Sequence, residues 1–329
     1  MGNIEVMITP HDLNLWIREG RSFIAIDLRQ IDQRDEMPLV GIDHVIADAN
    51  GIPESDQEMI LICQYGLVTE GLILEKGLKN TYSLSGGVEA WNTFLADNLD
   101  ISNWSRQVIL EEVGTKGQRK LMNSRIGIIG MGGLGCPAAQ SLIGAGVMNL
   151  SIIDGDVIEQ SNLHRQMLYS ANEVGLSKVT VAKEKLKKMN GKASIKIFNS
   201  YLDDENGHSF FRDLDVVIDA TDNNTARRSI DKFSREYNVP MIYGGLYKYE
   251  GQVAVFNIKG SCSYAELFPS SKNNNENCNE AGILGMLPGI IGNIQALEAL
   301  KIIIGISPNL IGKLMIYDGM NHTTQTIRL

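Results

Sequence analysis

A chain of 329 residues that is 43% hydrophobic and 21% charged is long enough for two domains and apolar enough to bury their cores. Its formal net charge of -9 and pI near 5.2 give no general attraction to nucleic acid or anionic membrane, so neither is expected as a partner. Cys63, Cys136, Cys262 and Cys278 lie far apart with no disulfide-like spacing, and "MGNIEVMITP" lacks both a basic and an apolar leader segment, which points to the reducing cytoplasm.

Residues 1–97 alternate short β-like runs ("FIAIDLR", "MILICQYG", "TYSLSGG") with helical pieces ("PHDLNLWIREG", "TEGLILEKGLK"), and so predict a small α/β domain. The polar stretch "ADNLDISN" marks a linker, placed at 98–103. "WSRQVILEEVGTKGQRKLMNS" then carries apolar residues at helical intervals and leads into a second domain over 104–329. There strand "RIGIIG", helix "CPAAQSLIGAG", strand "NLSIID", a helix around Lys178 to Met189, and strands "SIKIFN" and "DVVIDAT" follow one another. This alternation predicts a Rossmann-like, doubly wound parallel sheet with helices on both faces and ligands at the carboxyl ends of its strands. The lysines of "KVTVAKEKLKKMNGK" read as a solvated helix face, because apolar residues recur at helical spacing and Glu184 is interleaved. Beyond Pro240 come "MIYGG" and "GQVAVFN", the polar loop "SSKNNNENCNEAG", an apolar stretch from Ala281 to Ile306, and the closing pair "KLMIYDG" and "TQTIRL". Pro288, Asn293, Gln295, Glu298 and Lys301 interrupt the apolar stretch before it reaches the ~18 clean apolar residues of a membrane span, so it reads as a buried helix.

The chemistry begins at "GMGGLG", Gly130 to Gly135. A strand feeds this loop and a helix leaves it, so Gly130, Gly132, Gly133 and Gly135 let backbone N–H groups and the helix N-terminus surround an anion. Asp154 ends the next strand, where a carboxylate can bind ribose hydroxyls. These features alone fit a redox dinucleotide as well as ATP. The stretch "IIDGDVIEQSNLHRQ", followed by "GLSKV", separates the two. A dehydrogenase has no need of Asn162, Arg165 and Lys178, whereas a triphosphate takes amide and cationic donors of this kind. "DATDN" ends a further strand and offers Asp222 as a hard oxygen ligand for Mg2+ on the phosphates. Three donors and one acid at successive strand ends argue for ATP.

Residues 103–329 resemble the MoeB/ThiF type of ubiquitin-activating-enzyme-like adenylyltransferase, which activates the C-terminal glycine of small ubiquitin-fold sulfur carriers. The resemblance rests on "WSRQ", "GMGGLG", "IIDGDVIEQSNLHRQ", "GLSKV", "ATDN", "EGQVAVF", "NCNEAG", "GNIQALEALKI" and "LMIYDG", in the family's order. It implies that Asp154 holds the ribose, that Asn162, Arg165 and Lys178 hold the phosphates, and that Asp222 binds Mg2+. Asp156, Ser161 and Asn223 fall within the same nucleotide-binding motifs. It also implies that Arg106 reaches the ATP of a neighbouring protomer, hence a homodimer. Cys278 stands where some members carry a cysteine that bonds covalently to the carrier, in a polar loop that suits an accessible thiolate. Cys136, beside Pro137 at the start of the nucleotide-loop helix, reads as a packing residue. Many bacterial members hold a structural zinc with two CxxC pairs. Here Ser263 and Glu266 occupy the first pair and the sequence ends at Leu329 before the second, so no zinc site is expected.

The leading domain resembles a rhodanese through "AIDLR", "ICQYGLVTEGL" and "YSLSGGVEAW". Such a loop wraps successive backbone N–H groups around a cysteine and stabilises its thiolate and persulfide, and Cys63 is the candidate here. Gly66 and Thr69 fit the loop pattern C-x-x-G-x-R-[ST], but Val68 replaces the arginine. That weakens the case for thiosulfate as donor and leaves open a protein persulfide donor such as a cysteine desulfurase. A degenerate domain kept only for docking is the competing reading. For the whole chain, the expectation is ATP- and Mg2+-dependent adenylation of a sulfur carrier ending in Gly-Gly, followed by sulfur transfer to give a thiocarboxylate. The alternatives are a tRNA-modifying dehydratase of the same fold and a scaffold that binds a carrier without activating it.

Overall fold

The computed structural model describes residues 6–98, 100–269 and 282–329. The chain divides into two compact units, Met1–Asp100 and Ile101–Leu329.

The first unit runs β1 (Met7–Ile8), α1 (Pro10–Arg18), β2 (Ile24–Asp27), α2 (Ile31–Glu36), β3 (His44–Ile46), β4 (Met59–Ile62), α3 (Leu67–Lys76), β5 (Thr81–Leu84) and α4 (Gly87–Asp97). Its five strands pair in parallel in the order β1-β5-β4-β2-β3. Successive side chains of a strand face opposite sides, so a sheet covered on both faces needs an unbroken apolar run. The buried run "MILI" of β4 supplies it: Ile60 and Ile62 pack with Leu13, Leu84 and Trp91, while Met59 and Leu61 pack with Ile26 and Ile73.

The second unit runs α5 (Ser105–Val108), α6 (Gly114–Asn123), β6 (Arg125–Ile129), α7 (Gly135–Ala145), β7 (Asn149–Ile153), α8 (Lys178–Met189), β8 (Ser194–Phe198), α9 (Asp204–Phe211), β9 (Val216–Asp219) and α10 (Asn224–Glu236). It continues with β10 (Met241–Tyr247), β11 (Glu250–Phe256), α11 (Tyr264–Leu267), α12 (Met286–Ile304), β12 (Lys313–Asp318) and β13 (Thr323–Arg328). The eight strands lie in the order β13-β12-β11-β10-β9-β6-β7-β8. The half from β8 to β10 is parallel, as the alternating pattern predicts. Strands β11, β12 and β13 extend it antiparallel, so the sheet is mixed rather than wholly parallel. One face packs Ile126, Ile128 and Ile218 against Leu142, Val179 and Ile291, and the other packs Val217 and Met241 against Phe210 and Phe233.

By length and hydropathy alone α12 could cross a membrane, and 50% of that stretch is buried within the unit. Its fully buried Gln295 donates from Nε2 to the carbonyls of Asp219 (2.6 Å) and Ile242 (3.1 Å), tying the helix to the end of β9 and the start of β10. After β6 the chain moves outward through β7 to β8 and then returns to β9 on the other side of β6. The resulting switch point, at the carboxyl ends of β6 and β9, is where an open α/β sheet forms a crevice.

Candidate nucleotide site

A cavity of about 790 Å³ opens at that switch point, lined by the glycine loop, the segment after β7, the turn after β9 and the tip of the β10–β11 hairpin. The loop passes close to its own helix. A Cβ on Gly135 would stand 2.0 Å from the carbonyl oxygen of Gly130, so only glycine allows this turn. Helix α7 starts from Leu134 with no side chain capping its first turn. The Cys136 N–H bonds the Gly132 carbonyl and Pro137 has none to offer, so the anion site here is the positive dipole end of α7 together with the backbone of Gly130, Gly132 and Gly133, all of which line the cavity.

Asp154, 8% exposed, lies just past the end of β7. Its Oδ2 accepts the Met131 N–H at 2.6 Å and its Oδ1 accepts the Asp156 N–H at 2.8 Å. Burial pushes this carboxyl up, against the Lys178 charge and the two backbone bonds. Lys178 opens α8 and is 4% exposed. Its Nζ donates to Asp156 Oδ2 at 2.7 Å, and the other Asp156 oxygen accepts the Tyr201 hydroxyl at 2.5 Å. Burial raises the Asp156 carboxyl, but these two bonds outweigh it and hold it below the usual aspartate value.

Asn162 organises the next segment. Its Oδ1 accepts from Arg165 Nη2 (2.9 Å) and Gln166 Nε2 (3.2 Å), while Arg165 Nη1 donates to the Ser161 carbonyl (3.1 Å). The guanidinium is thereby pinned at the cavity wall. Gln166 also lines the cavity, 3% exposed, and its Oε1 has no hydrogen-bond partner among the described residues. An unmade bond on a buried amide is costly, so this oxygen is an acceptor waiting for a donor.

The turn after β9 carries Asp222 and Asn223 on the cavity wall. Asp222 is exposed and makes no ion pair among the described residues. Asn223 caps α10, its Oδ1 accepting the Ala226 N–H at 2.8 Å, so this side chain serves the helix. Two residues that motif reading passes over hold the turn: wholly buried Asp219 accepts from Thr221 N–H (3.0 Å) and Oγ1 (2.6 Å), and Arg227 Nη2 donates to the Thr221 carbonyl (3.0 Å).

The sequence model of the ThiF family matches residues 104–329. The chain belongs to the ThiF family. It is 38% identical over 235 residues to the adenylyltransferase and sulfurtransferase MOCS3 of Anopheles gambiae, covering 71% of this chain and 53% of that protein. It is also 38% identical over 233 residues to a probable molybdopterin-synthase adenylyltransferase of Porphyra purpurea, covering 70% of this chain and 61% of that one. The match thus spans between half and two thirds of these relatives' length. Among solved structures, E. coli MccB with ATP superposes with a TM-score of 0.61 at 20% identity, over 73% of this chain and 78% of that chain. PaaA superposes with a TM-score of 0.60 at 24% identity, over 73% and 81%. These two likenesses are of fold.

Other expected residues of this ThiF-family chain lie elsewhere. Gly135 and Ser161 adjoin the cavity without lining it, and Arg106 is an exposed residue of α5 outside the lining. Cys136 is buried, its thiol pushed up to about 12 by burial. Cys278 lies outside the described residues. Cys63 belongs to the first unit and is 8% exposed, just beyond the end of β4. Its Sγ accepts the Gly66 N–H at 3.2 Å and lies 3.5 Å from the Thr69 hydroxyl. Burial raises this thiol, yet the Thr69 hydroxyl and the backbone N–H groups of Thr69, Val68 and Gly66 together bring it below the ordinary thiol value. Around it, Tyr65, Leu67 and Val68 are exposed and uncharged.

Proposed function

We propose that this protein adenylates the C-terminal glycine of a ubiquitin-like sulfur-carrier protein ending in Gly-Gly, using ATP and Mg2+, and then aids its conversion to a thiocarboxylate. The observation that carries the reading is the meeting of Lys178, Arg165 and the uncapped start of α7 on one cavity that also holds Asp154 and Asp222. Two cations and a helix dipole suit a polyphosphate, and the doubly anchored Asp154 suits ribose hydroxyls. Gln166 Oε1 fits a hydroxyl or amine donor of the nucleotide. The names of the two relatives above support adenylyl transfer.

Asp222 would hold Mg2+. No cluster of three His, Cys, Asp or Glu side chains forms a metal site among the described residues, so the phosphates would supply most of the ion's oxygen ligands. When bound, the ion supplies charge neutralisation. The carrier's carboxylate oxygen attacks the α-phosphorus, forming an acyl–phosphate anhydride, while the α–β phosphoanhydride bond breaks and pyrophosphate leaves with the electron pair. Lys178 and Arg165 stabilise the charge that moves onto that leaving group.

For the sulfur step, Cys63 would carry a persulfide received from a protein donor such as a cysteine desulfurase. Its terminal sulfur attacks the acyl-adenylate carbonyl and releases AMP. A second thiol, for which Cys278 is the candidate, then attacks the Cys63 sulfur of the resulting acyl disulfide, so that the S–S bond to the carrier breaks and the thiocarboxylate leaves. A Cys63–Cys278 disulfide forms, which an external dithiol would reduce before the next turnover. The thiol-lowering surroundings of Cys63 support this role. An arginine in trans at Arg106 would make the working enzyme a homodimer.

The test is ATP–pyrophosphate exchange with candidate carriers, followed by mass spectrometry of the carrier. Exchange should require an intact Gly-Gly terminus, and Cys63→Ala should leave exchange unchanged while blocking thiocarboxylate formation. Exchange that ignores the carrier's last glycine would overturn the adenylation reading. A full thiocarboxylate yield from Cys63→Ala, given only a protein persulfide donor, would remove the first unit from the sulfur path.

A further inference from the structure

The roles assigned so far give the phosphates and ribose their contacts and leave the face of the base without one. Asp154 follows β7, and β8 lies beside β7 at the edge of the sheet, so a base attached to a ribose at Asp154 lies toward the segment that follows β8. The side chains lining the cavity there are Ile153, Tyr201 and Leu202.

Tyr201 is 67% exposed, a large ring left in water at the rim. It is nevertheless fixed at two points. Its hydroxyl donates to Asp156 Oδ1 at 2.5 Å, and its ring rests on the backbone of Gly155, where a Cβ would stand 3.0 Å from the ring carbons. Asp156 in turn donates its N–H to Asp154 and accepts Lys178 Nζ on its second oxygen. One carboxylate therefore sets an aromatic face at a defined place relative to both the ribose acid and the phosphate-side cation. An exposed ring held in this way has lost its rotamer freedom before any ligand arrives, which is the condition under which stacking yields most affinity.

We propose that Tyr201 stacks on the base of the nucleotide, with Asp156 as its positioning residue. Leu202 and Ile153 offer the apolar floor that a heterocycle needs, and every nucleobase has a π-face for the ring. The inference rests on the ATP reading above and adds to the ribose contact at Asp154 a stacking contact that only a nucleotide with its base can make.

Equilibrium titration of the full chain with ATP and, separately, with inorganic tripolyphosphate tests it, because the second ligand lacks the base. Truncation of a stacked ring costs about tenfold in affinity, so Tyr201→Ala should weaken ATP by that factor and leave tripolyphosphate within about twofold. Tyr201→Phe keeps the ring and should hold ATP within about threefold of the wild type. Unchanged ATP affinity in Tyr201→Ala would overturn the proposal. A parallel loss of tripolyphosphate would overturn it too, since the hydroxyl would then be acting through Asp156 and Lys178 rather than through the ring. Wild-type protein that binds tripolyphosphate but gains nothing from the nucleoside would leave no base contact for Tyr201 to make. Wild-type protein that binds neither ligand would refute the nucleotide reading itself and the inference with it.

Discussion

Replacing Lys178 by methionine separates the stability role of this residue from its chemical one. The side chain is buried at the start of α8, with Nζ 2.7 Å from an Asp156 carboxylate that is itself 46% exposed. Methionine preserves the length and apolar stem of lysine and tolerates irregular packing. Asp156 loses its cationic partner but keeps the Tyr201 hydroxyl, and a half-exposed carboxylate is rehydrated by water, so the cost in stability is about 1 kcal/mol or less. That corresponds to no more than about 4 °C in Tm for a unit of this size. On the proposed reading the chemical step has no such escape, because losing one preorganised donor to the charge of the leaving phosphates costs about 3–4 kcal/mol in the transition state, or two to three decades of rate. Lys178→Met should therefore melt close to the wild type and lose pyrophosphate exchange by about a hundredfold or more. The stability gap also has a pH sign. Asp156 is held below its ordinary value, so its stabilising contribution is present at neutral pH and disappears as pH falls through its folded pKa. Melting curves of variant and wild type should converge in acid. Exchange within about fivefold of the wild type, in a variant that melts normally, would refute the phosphate role and leave the Lys178–Asp156 pair as a structural contact.

A low-molecular-weight alkylating agent should label Cys63 with a pH midpoint below that of an ordinary thiol, and Thr69→Val should raise it; a wild-type midpoint at or above the ordinary value would refute the thiolate nest. Cys136, pushed up to about 12, should stay unlabelled while the protein is folded. Asp222→Ala should lower exchange by about two to three decades without unfolding the chain, and near-normal exchange would remove the metal role. Mixing Arg106→Ala with Asp222→Ala protein should restore part of the activity through mixed dimers; no recovery after demonstrated subunit exchange would show that Arg106 does not act in trans.

Much of the β6-to-β10 half of the sheet is legible in the sequence because strands such as "RIGIIG" and "DVVIDAT" are apolar runs ended by glycine or an acid, while β8, "SIKIFN", alternates around Lys196 as an edge strand does. Where punctuation is subtler the reading blurs. The segment "WSRQVILEEVGTKGQRKLMNS" has helical spacing throughout, yet it folds as α5 and α6 with a break between them, and Gly114 takes a left-handed φ of +54° at the start of α6. The added antiparallel strands are likewise unmarked, because an apolar strand in "GQVAVFN" looks the same whichever way its neighbour runs.

The candidate site divides along the same physical line. Glycine loops, helix starts and the donors of "SNLHRQ" act through backbone placed by neighbours a few residues away, so their spacing survives in the sequence and brings Gly130, Asn162 and Arg165 to one cavity. Tyr201 meets Asp156 across 45 residues, and the Gln295 amide meets the Asp219 carbonyl across 76. Contacts of that range depend on the order of strands in the finished sheet, which no local spacing encodes. Phosphate recognition is therefore the part of such a site that motifs reveal. The proposed base contact depends on a single side chain delivered by a distant loop, and it emerges only when β8 is seen to lie next to β7.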